Sequence, residues 1–376
     1  SLAVRSESWP IAGSFSISRG AKTEAVVVCA ELSDGRFHGR GECVPYARYE
    51  ETVGGVIASL GDMGNALARG LDRAGLQEAM PAGAARNALD CALWDLAGKA
   101  AGRSVRQLLG GYRNELPLIS IGGYYVDGKT LADYGREMEM YRDAGMAGCK
   151  FKVGGLSPEE DAKRVEAARK AAGDDFILVV DANRGWNVPD AIRFARLIEP
   201  LNIGWFEEPC HWYDDAAMMA EVRRATTIPI ASGEREFSRY GFKSMLEHKA
   251  IDIAQPDVAR ADGLTEIRRI AALTQAHDIR LAPHAWGAGV LFAASIHVAM
   301  ASPNCHILEV SQGYMPMMNE LFNEPYDIQR AVIDMLDVVA GHEQLSSAQA
   351  KFNRRLRALE DESALDWSAL EGVSVL

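Results

Sequence analysis

Residues 1–55 alternate apolar and polar positions in β fashion. Glu24-Ala-Val-Val-Val-Cys-Ala-Glu-Leu32 predicts a strand, Ser33-Asp-Gly-Arg36 a hairpin turn, and His38-Gly-Arg-Gly-Glu42 the start of the return strand. An antiparallel meander is expected there. From about Thr52 to Gly102 the period lengthens, and Ala84 to Ala101 is alanine-rich with Leu89, Leu93 and Leu96 at helical spacing. Residues 1–115 therefore read as an α+β unit. From Leu116 the pattern changes again. Short apolar runs at 118–121, 148–153, 177–181, 203–207, 228–232, 251–254, 279–283 and 306–310 alternate with amphipathic runs such as Pro158–Ala172 and Pro189–Ile198. Eight strands alternating with helices predict an α/β parallel barrel over 116–323 rather than an open sheet. Residues 324–376 leave the barrel. Ser346–Glu362 reads as a charged helix there, and this tail is expected to pack back on the N-terminal unit.

Polar residues recur where the apolar runs end. From Lys152 the steps are 29 residues to Asp181, 26 to Glu207, 27 to Glu234, 23 to Asp257, 27 to His284 and 25 to Glu309, one βα unit each time. Residues at the C-terminal ends of barrel strands share one rim, where barrel active sites are built. A single carboxylate at a strand end is ordinarily solvated, but three in register are candidate ligands. Asp181, Glu207 and Glu234 are the oxygen donors a hard cation such as Mg²⁺ takes. Glu208 falls on the other side of its strand by pleat alternation. Lys150 and Lys152, two apart, face the same side. Their mutual repulsion is expected to lower their pKa values and make one a usable base. Asp257 and His284 end neighbouring strands, so the aspartate can hold one imidazole nitrogen and raise the basicity of the other. The remaining histidines lack such a setting. Glu309 could polarise a substrate carboxylate or form a structural salt bridge.

Composition narrows the field. Of 376 residues 48% are hydrophobic and 24% charged, an ordinary globular balance with no low-complexity run. The formal net charge of −12, without a basic cluster interleaved with aromatics, argues against nucleic acid as a partner. The six cysteines are scattered without a CxxC pair and read as reduced core thiols. There is neither a long apolar run nor an N-terminal basic stretch leading into an apolar core, so a cytoplasmic protein with no membrane contact is expected.

Taken together, Lys150-x-Lys152, Asp181-x-Asn183, Glu207-Glu-Pro209, Gly233-Glu234, Gln255-Pro-Asp257, Pro283-His284 and Leu308-Glu309, with Ala88 to Gly98 ahead of the barrel, resemble the mandelate racemase subgroup of the enolase superfamily. The resemblance implies a modified (β/α)7β TIM-type barrel under a capping domain made of the N-terminal region and the C-terminal tail. It also implies Mg²⁺ at the rim, abstraction of the proton α to a carboxylate to give a metal-stabilised enediolate, and a homo-oligomer. Such sites pair a Lys or His base with Mg²⁺. By resemblance Lys152 serves one face of a small carboxylate substrate and His284, backed by Asp257, the other, while Lys150 and Glu309 steady the enediolate. Two departures stand out. Val332 to His342 occupies the place where relatives commonly carry a Pro-Gly-Leu-Gly turn. The loops Ile17-Ser-Arg-Gly20 and Gly41 to Tyr49 resemble the capping loops of dipeptide epimerases, in which the third ligand is usually Asp and the second base Lys. Arg19, Tyr46, Arg48 and Asn183 are the candidate substrate contacts, with a structural salt bridge the other reading for either arginine. Dehydration of an acid sugar or related hydroxy acid is the expected reaction. Racemisation or epimerisation by two-base proton transfer is the alternative, and a non-catalytic metal-binding barrel a third.

Overall fold

The computed structural model describes residues 1–211 and 216–311, and the side chains of 12–15 and Arg48 stand outside that description. The expectations for 324–376, including the Ser346–Glu362 helix and the departure at 332–342, lie outside the described residues.

The N-terminal unit is a three-stranded antiparallel sheet in the order β1 (Leu2–Ile17), β2 (Gly20–Ser33), β3 (His38–Cys43). The hairpin falls where expected, and Asp34 Oδ1 accepts the N–H groups of Arg36 and Phe37 at 2.8 and 2.7 Å to fix it. Helices α1 (Val53–Asp62), α2 (Gly64–Ala68), α3 (Arg73–Ala79), α4 (Ala84–Ala101) and α5 (Val105–Leu108) follow. Helix α4 lies directly on β3. A Cβ at Gly39 or Gly41 would sit about 2 Å from the carbonyl oxygens of Ala92 and Ala88, so only glycine permits this approach. Val28, Ala30, Leu60, Leu76, Ala88 and Leu89 form the core between sheet and helices.

Then come β4 (Leu118–Gly122), α6 (Leu131–Asp143), β5 (Gly148–Lys152), α7 (Pro158–Ala172), β6 (Ile177–Asp181), α8 (Val188–Ile198), β7 (Ile203–Glu207), α9 (Ala216–Arg224), β8 (Ile230–Ser232), α10 (Arg239–Glu247), β9 (Ile253–Ala254), α11 (Gly263–Ala276), β10 (Arg280–Leu281), α12 (Gly289–Ala301) and β11 (Leu308–Ser311). The eight strands form one parallel sheet in the order β10-β9-β8-β7-β6-β5-β4-β11. Leu281 closes it, donating to Asn304 O at 2.9 Å and accepting from His306 N–H at 3.3 Å. Eight strands and seven intervening helices give the expected (β/α)7β arrangement. Strand β8 starts at Ile230 rather than Ile228 because Pro229 has no N–H to donate, and the Ile230 N–H goes to the Asp252 side chain at 2.9 Å.

Pleat alternation sorts the barrel residues into two cores. Leu118, Cys149, Phe151, Leu178, Val180, Phe206 and Leu308 face out under the helices. Ile119, Val179, Trp205, Ala231, Ile253, Ala282 and Ile307 fill the interior as a floor. All six cysteines are buried and none forms a disulfide, as expected of core thiols. Among the described residues no helix is long and apolar enough to cross a membrane.

Helix α12 is apolar on nearly every face and is buried against β3 and α5. Its His297 accepts the Arg106 N–H at Nδ1, 3.0 Å away, and burial, helped by the Arg106 charge, pushes the imidazole down to about 3. The folded pKa lies below the unfolded one, so the unfolded chain gains a proton first and stability is lost as pH falls through 6.5 toward 3. Between pH 7 and pH 4 this one group should cost about 3 kcal/mol. Thermal melts should therefore show a shallower acid loss in His297→Gln than in the wild type. Equal pH slopes would refute the assignment.

Candidate active site

Above the floor of the barrel, the same inward alternation delivers polar side chains. Lys152, Asp181 and Glu207 are direct register partners across β5, β6 and β7. Lys150 is one inward position lower. Gln255 and Asp257 follow β9, His284 follows β10, and Glu309 is on β11. Every one of these is buried.

The carboxylates are held by cations rather than by one another. Lys152 Nζ is 2.5 Å from Asp181 Oδ2. Lys150 Nζ is 2.8 Å from Glu207 Oε1 and 3.8 Å from Asp181 Oδ2, and it also pairs with Glu309. Here the expectation for Lys150 needs correcting. Burial works to lower the Lys150 pKa, but Glu207, Glu309 and Asp181 overcome it and hold the ammonium well above its ordinary value. Glu309 pairs with Lys150, and its Oε1 also accepts the Ala285 N–H at 3.1 Å. Burial pushes Glu207 up to about 8, with Asp181 and Glu309 adding to the pull of burial and Lys150 opposing it. The other oxygen of Glu207 accepts from Trp205 Nε1 at 3.1 Å and Gln255 Nε2 at 2.7 Å. Both partners lie two residues from a predicted site residue on the same face, a signal the sequence carried.

Three strands round the barrel from the lysines, His284 Nδ1 is 2.7 Å from Asp257 Oδ2, the pairing expected. Its Nε2 faces the site, 3.2 Å from Glu234 Oε2 and 3.8 Å from Glu309 Oε1. Burial alone would lower the imidazole pKa, but Glu234, Asp257 and Glu309 raise it to about 9. Asp257 is itself fixed by the Ala259 N–H at 2.6 Å and by Arg260 Nη2 at 3.3 Å. Glu234 stays low because His284 and Arg19 outweigh its burial. Arg260, which sequence reasoning missed, also donates to the Glu234 carbonyl at 3.0 Å.

Glu208 turns away from this group, as pleat alternation requires. It pairs with buried Arg184 behind the strands and accepts from Ser232 Oγ at 2.7 Å and the Gly233 N–H at 3.2 Å.

The N-terminal unit reaches the rim. Ser18 Oγ donates to Ala182 O at 2.8 Å, and the neighbouring Arg19 Nη2 is 3.6 Å from Glu234. Nε and Nη1 of Arg19 are buried without a hydrogen-bond partner. Tyr46 sits between Tyr49 and Trp286, 5.9 Å from each ring, with Arg260 over its face at 4.3 Å. The Arg48 side chain is outside the described residues. Asn183 sits in the left-handed region at φ 43 and donates through Nδ2 to Asp181 at 3.0 Å, leaving Oδ1 buried without a partner.

Among the described residues no three His, Cys, Asp or Glu side chains converge closely enough to hold a metal ion. Asp181, Glu207 and Glu234 share the rim, but each is drawn to its own cation. The donor chemistry nevertheless suits a hard cation: all three are carboxylates, and two further oxygens beside them, Asn183 Oδ1 and Gln255 Oε1, lack hydrogen-bond partners.

Residues 1–110 match the mandelate racemase/muconate lactonizing enzyme N-terminal domain, and 133–341 match the enolase C-terminal domain-like family. The chain is 35% identical over 263 residues to D-galactarolactone cycloisomerase of Agrobacterium fabrum, covering 67% of this chain and 69% of that one. It is 33% identical over 282 residues to the L-Ala-D/L-Glu epimerase of Escherichia coli, covering 74% and 83%. A solved L-talarate/galactarate dehydratase variant liganded with Mg and L-glucarate aligns with a TM-score of 0.77 at 27% identity, covering 92% of this chain and 90% of that one.

Proposed function

This chain belongs to the mandelate racemase/muconate lactonizing enzyme family of the enolase superfamily, and from that premise we propose that it is a Mg²⁺-dependent dehydratase of an acid sugar or related hydroxy acid. The observation that carries this reading is the pair of unlike proton-transfer groups in one buried site: the lysines on β5 and, three strands round the barrel, His284 with its Asp257 partner at 2.7 Å. Elimination needs a base on one side and an acid on the other. Lys152 takes the α-proton at Nζ. His284, its tautomer set by the Asp257 bond to Nδ1, gives a proton from Nε2 to the departing β-hydroxyl. Lys150 lies where negative charge accumulates as the α-proton leaves and offers preorganised compensation for it. Asp181, Glu207 and Glu234 would hold Mg²⁺, which when bound polarises the substrate carboxylate and relieves the lysines of their present partners. Arg19, Tyr46, Arg48 and Asn183 are assigned to the rest of the substrate, since all four stand at or beside the loops that face the rim.

Epimerisation is the second reading. Arg19, on a capping loop like those of dipeptide epimerases, lies 3.6 Å from Glu234, and the epimerase relative acts, by its name, on L-Ala-D/L-Glu. A screen of aldonic and aldaric acids and L-Ala-Glu dipeptides with Mg²⁺ in D₂O tests both. Formation of a 2-keto-3-deoxy acid is expected. Substrate recovered with α-deuterium and inverted configuration, without keto product, would overturn the dehydratase reading in favour of epimerisation.

A further inference from the structure

We propose that Glu42, reaching from the N-terminal sheet, is a positioning residue for His284. It holds the link from β10 to α12, so that without its carboxyl group the His284 half of the reaction is lost while the Lys152 half persists. This rests on the roles proposed above.

Glu42 is on β3 and 2% exposed. Its Oε1 accepts the Ala288 N–H at 2.5 Å and its Oε2 the Leu291 N–H at 3.3 Å. These are among the donors that the first turn of a helix leaves without intrahelical partners. A serine or aspartate at the N-cap would ordinarily take the N3 donor, and a glutamate or glutamine at N3 the N-cap N–H, but the N-cap of α12 is Ala288, which makes no side-chain cap bond, and its N3 is Leu291. The cap is supplied instead from 246 residues away. The seating is tight, since a Cβ on Gly287 would lie 2.8 Å from Glu42 Oε1. Glu42 is in turn fixed to α4, its carbonyl accepting from Asn87 Nδ2 at 3.1 Å.

On the other side of the link, the His284 N–H donates to Pro256 O at 3.2 Å and the Ala285 N–H to Glu309 at 3.1 Å. Residues 284–288 are thus strung between the barrel and Glu42, and a shift of Ala288 is transmitted over four residues to the imidazole. The same device recurs beyond β9, the strand that Asp257 follows. The next helix, α11, has its Gly263 and Thr265 N–H groups accepted by Asn87 Oδ1 at 2.7 Å and Asp90 Oδ2 at 2.9 Å, both from α4. Both helices that follow the His–Asp pair are capped in trans by the N-terminal unit. The helices that follow Lys152 and Asp181 are capped by their own Ser157 and Asn187. The asymmetry is what singles out the His284 side.

The test compares wild type, Glu42→Ala and Glu42→Gln with Mg²⁺ and the acid found by the screen, in D₂O. Keto-acid formation and α-deuterium incorporation are followed separately, and in H₂O the downfield proton of the His284–Asp257 hydrogen bond is followed by NMR. In Glu42→Ala, keto-acid formation should fall about a hundredfold, the cost of a misplacement near 1 Å. α-Deuteration should stay within a factor of a few of wild type, and the downfield signal should shift or broaden. Glu42→Gln, which keeps one acceptor and the size of the side chain, should show the same split to a smaller degree, and it answers the question if the alanine variant does not fold. Parallel loss of both activities, or an unmoved downfield proton, overturns the proposal. A wild-type enzyme that makes no keto acid from any substrate sinks the dehydratase reading alone, and the downfield proton then decides the role of Glu42.

Discussion

Lys152→Ala is expected to remove both keto-acid formation and α-proton exchange, with kcat/KM lower by about 10⁴-fold, the upper range for a positioned acid or base. Water cannot take over the role. The Lys152 side chain is 6% exposed and lies against Asp181, so a replacement base would have to enter a buried site and be held there in line with the α-proton. His284 should not stand in either, because it lies three strands round the barrel with its Nε2 held toward Glu234 and Glu309. The fold should survive, since Asp181 keeps Asn183 as a donor at 2.7 and 3.0 Å and Lys150 at 3.8 Å. The comparison with His284→Asn is the sharp one. That variant should still exchange the α-proton while failing to complete elimination. If Lys152→Ala exchanged deuterium at the wild-type rate, the base would have to be sought elsewhere on the rim.

The rim was legible in the sequence because it obeys local rules. Two-residue periodicity placed Lys150 and Lys152 together, excluded Glu208, and put Asp181 and Glu207 on the inner face, while the repeat of 23 to 29 residues located the strand ends. The titration of Lys150 was not legible in the same way. Its nearest charge along the chain is another lysine, and a reading confined to β5 sees only repulsion. The groups that decide its pKa arrive from β6, β7 and β11, and their distances exist only once the barrel closes. Glu42, Asn87 and Asp90 were illegible for a related reason. Each looks like an ordinary polar residue on a strand or helix, and its partner is an unmarked backbone N–H some 175 residues or more away. Side chains that meet side chains leave complementary letters in a sequence, whereas side chains that cap backbone do not.

The charge balance at the bottom of the site leads to the second large effect. Lys150→Met keeps the length of the side chain but leaves Glu207, Glu309 and Asp181 without the ammonium that now touches all three, in a place where none is more than 4% exposed. Breaking a buried ion pair from one side typically costs about 3–5 kcal/mol, and here Glu207, already drawn up to about 8, can take a proton while Asp181 and Glu309 lose their shared cation, so the loss in metal-free protein should sit within that range. The same reasoning predicts the remedy. A divalent cation held by Asp181, Glu207 and Glu234 would return positive charge to two of the stranded carboxylates, and the missing ammonium would no longer repel it. Thermal melts in EDTA and in Mg²⁺ should therefore show a larger Mg²⁺-dependent rise in Lys150→Met than in wild type, following the usual dependence of stability on ligand concentration over Kd. Lysine and metal would then be partly interchangeable as counter-charges for stability but not for activity, which should need both. Equal stability of the two proteins in EDTA would mean that the three carboxylates share protons rather than Lys150. An equal Mg²⁺ response would mean that the ion binds somewhere other than the ends of β6, β7 and β8.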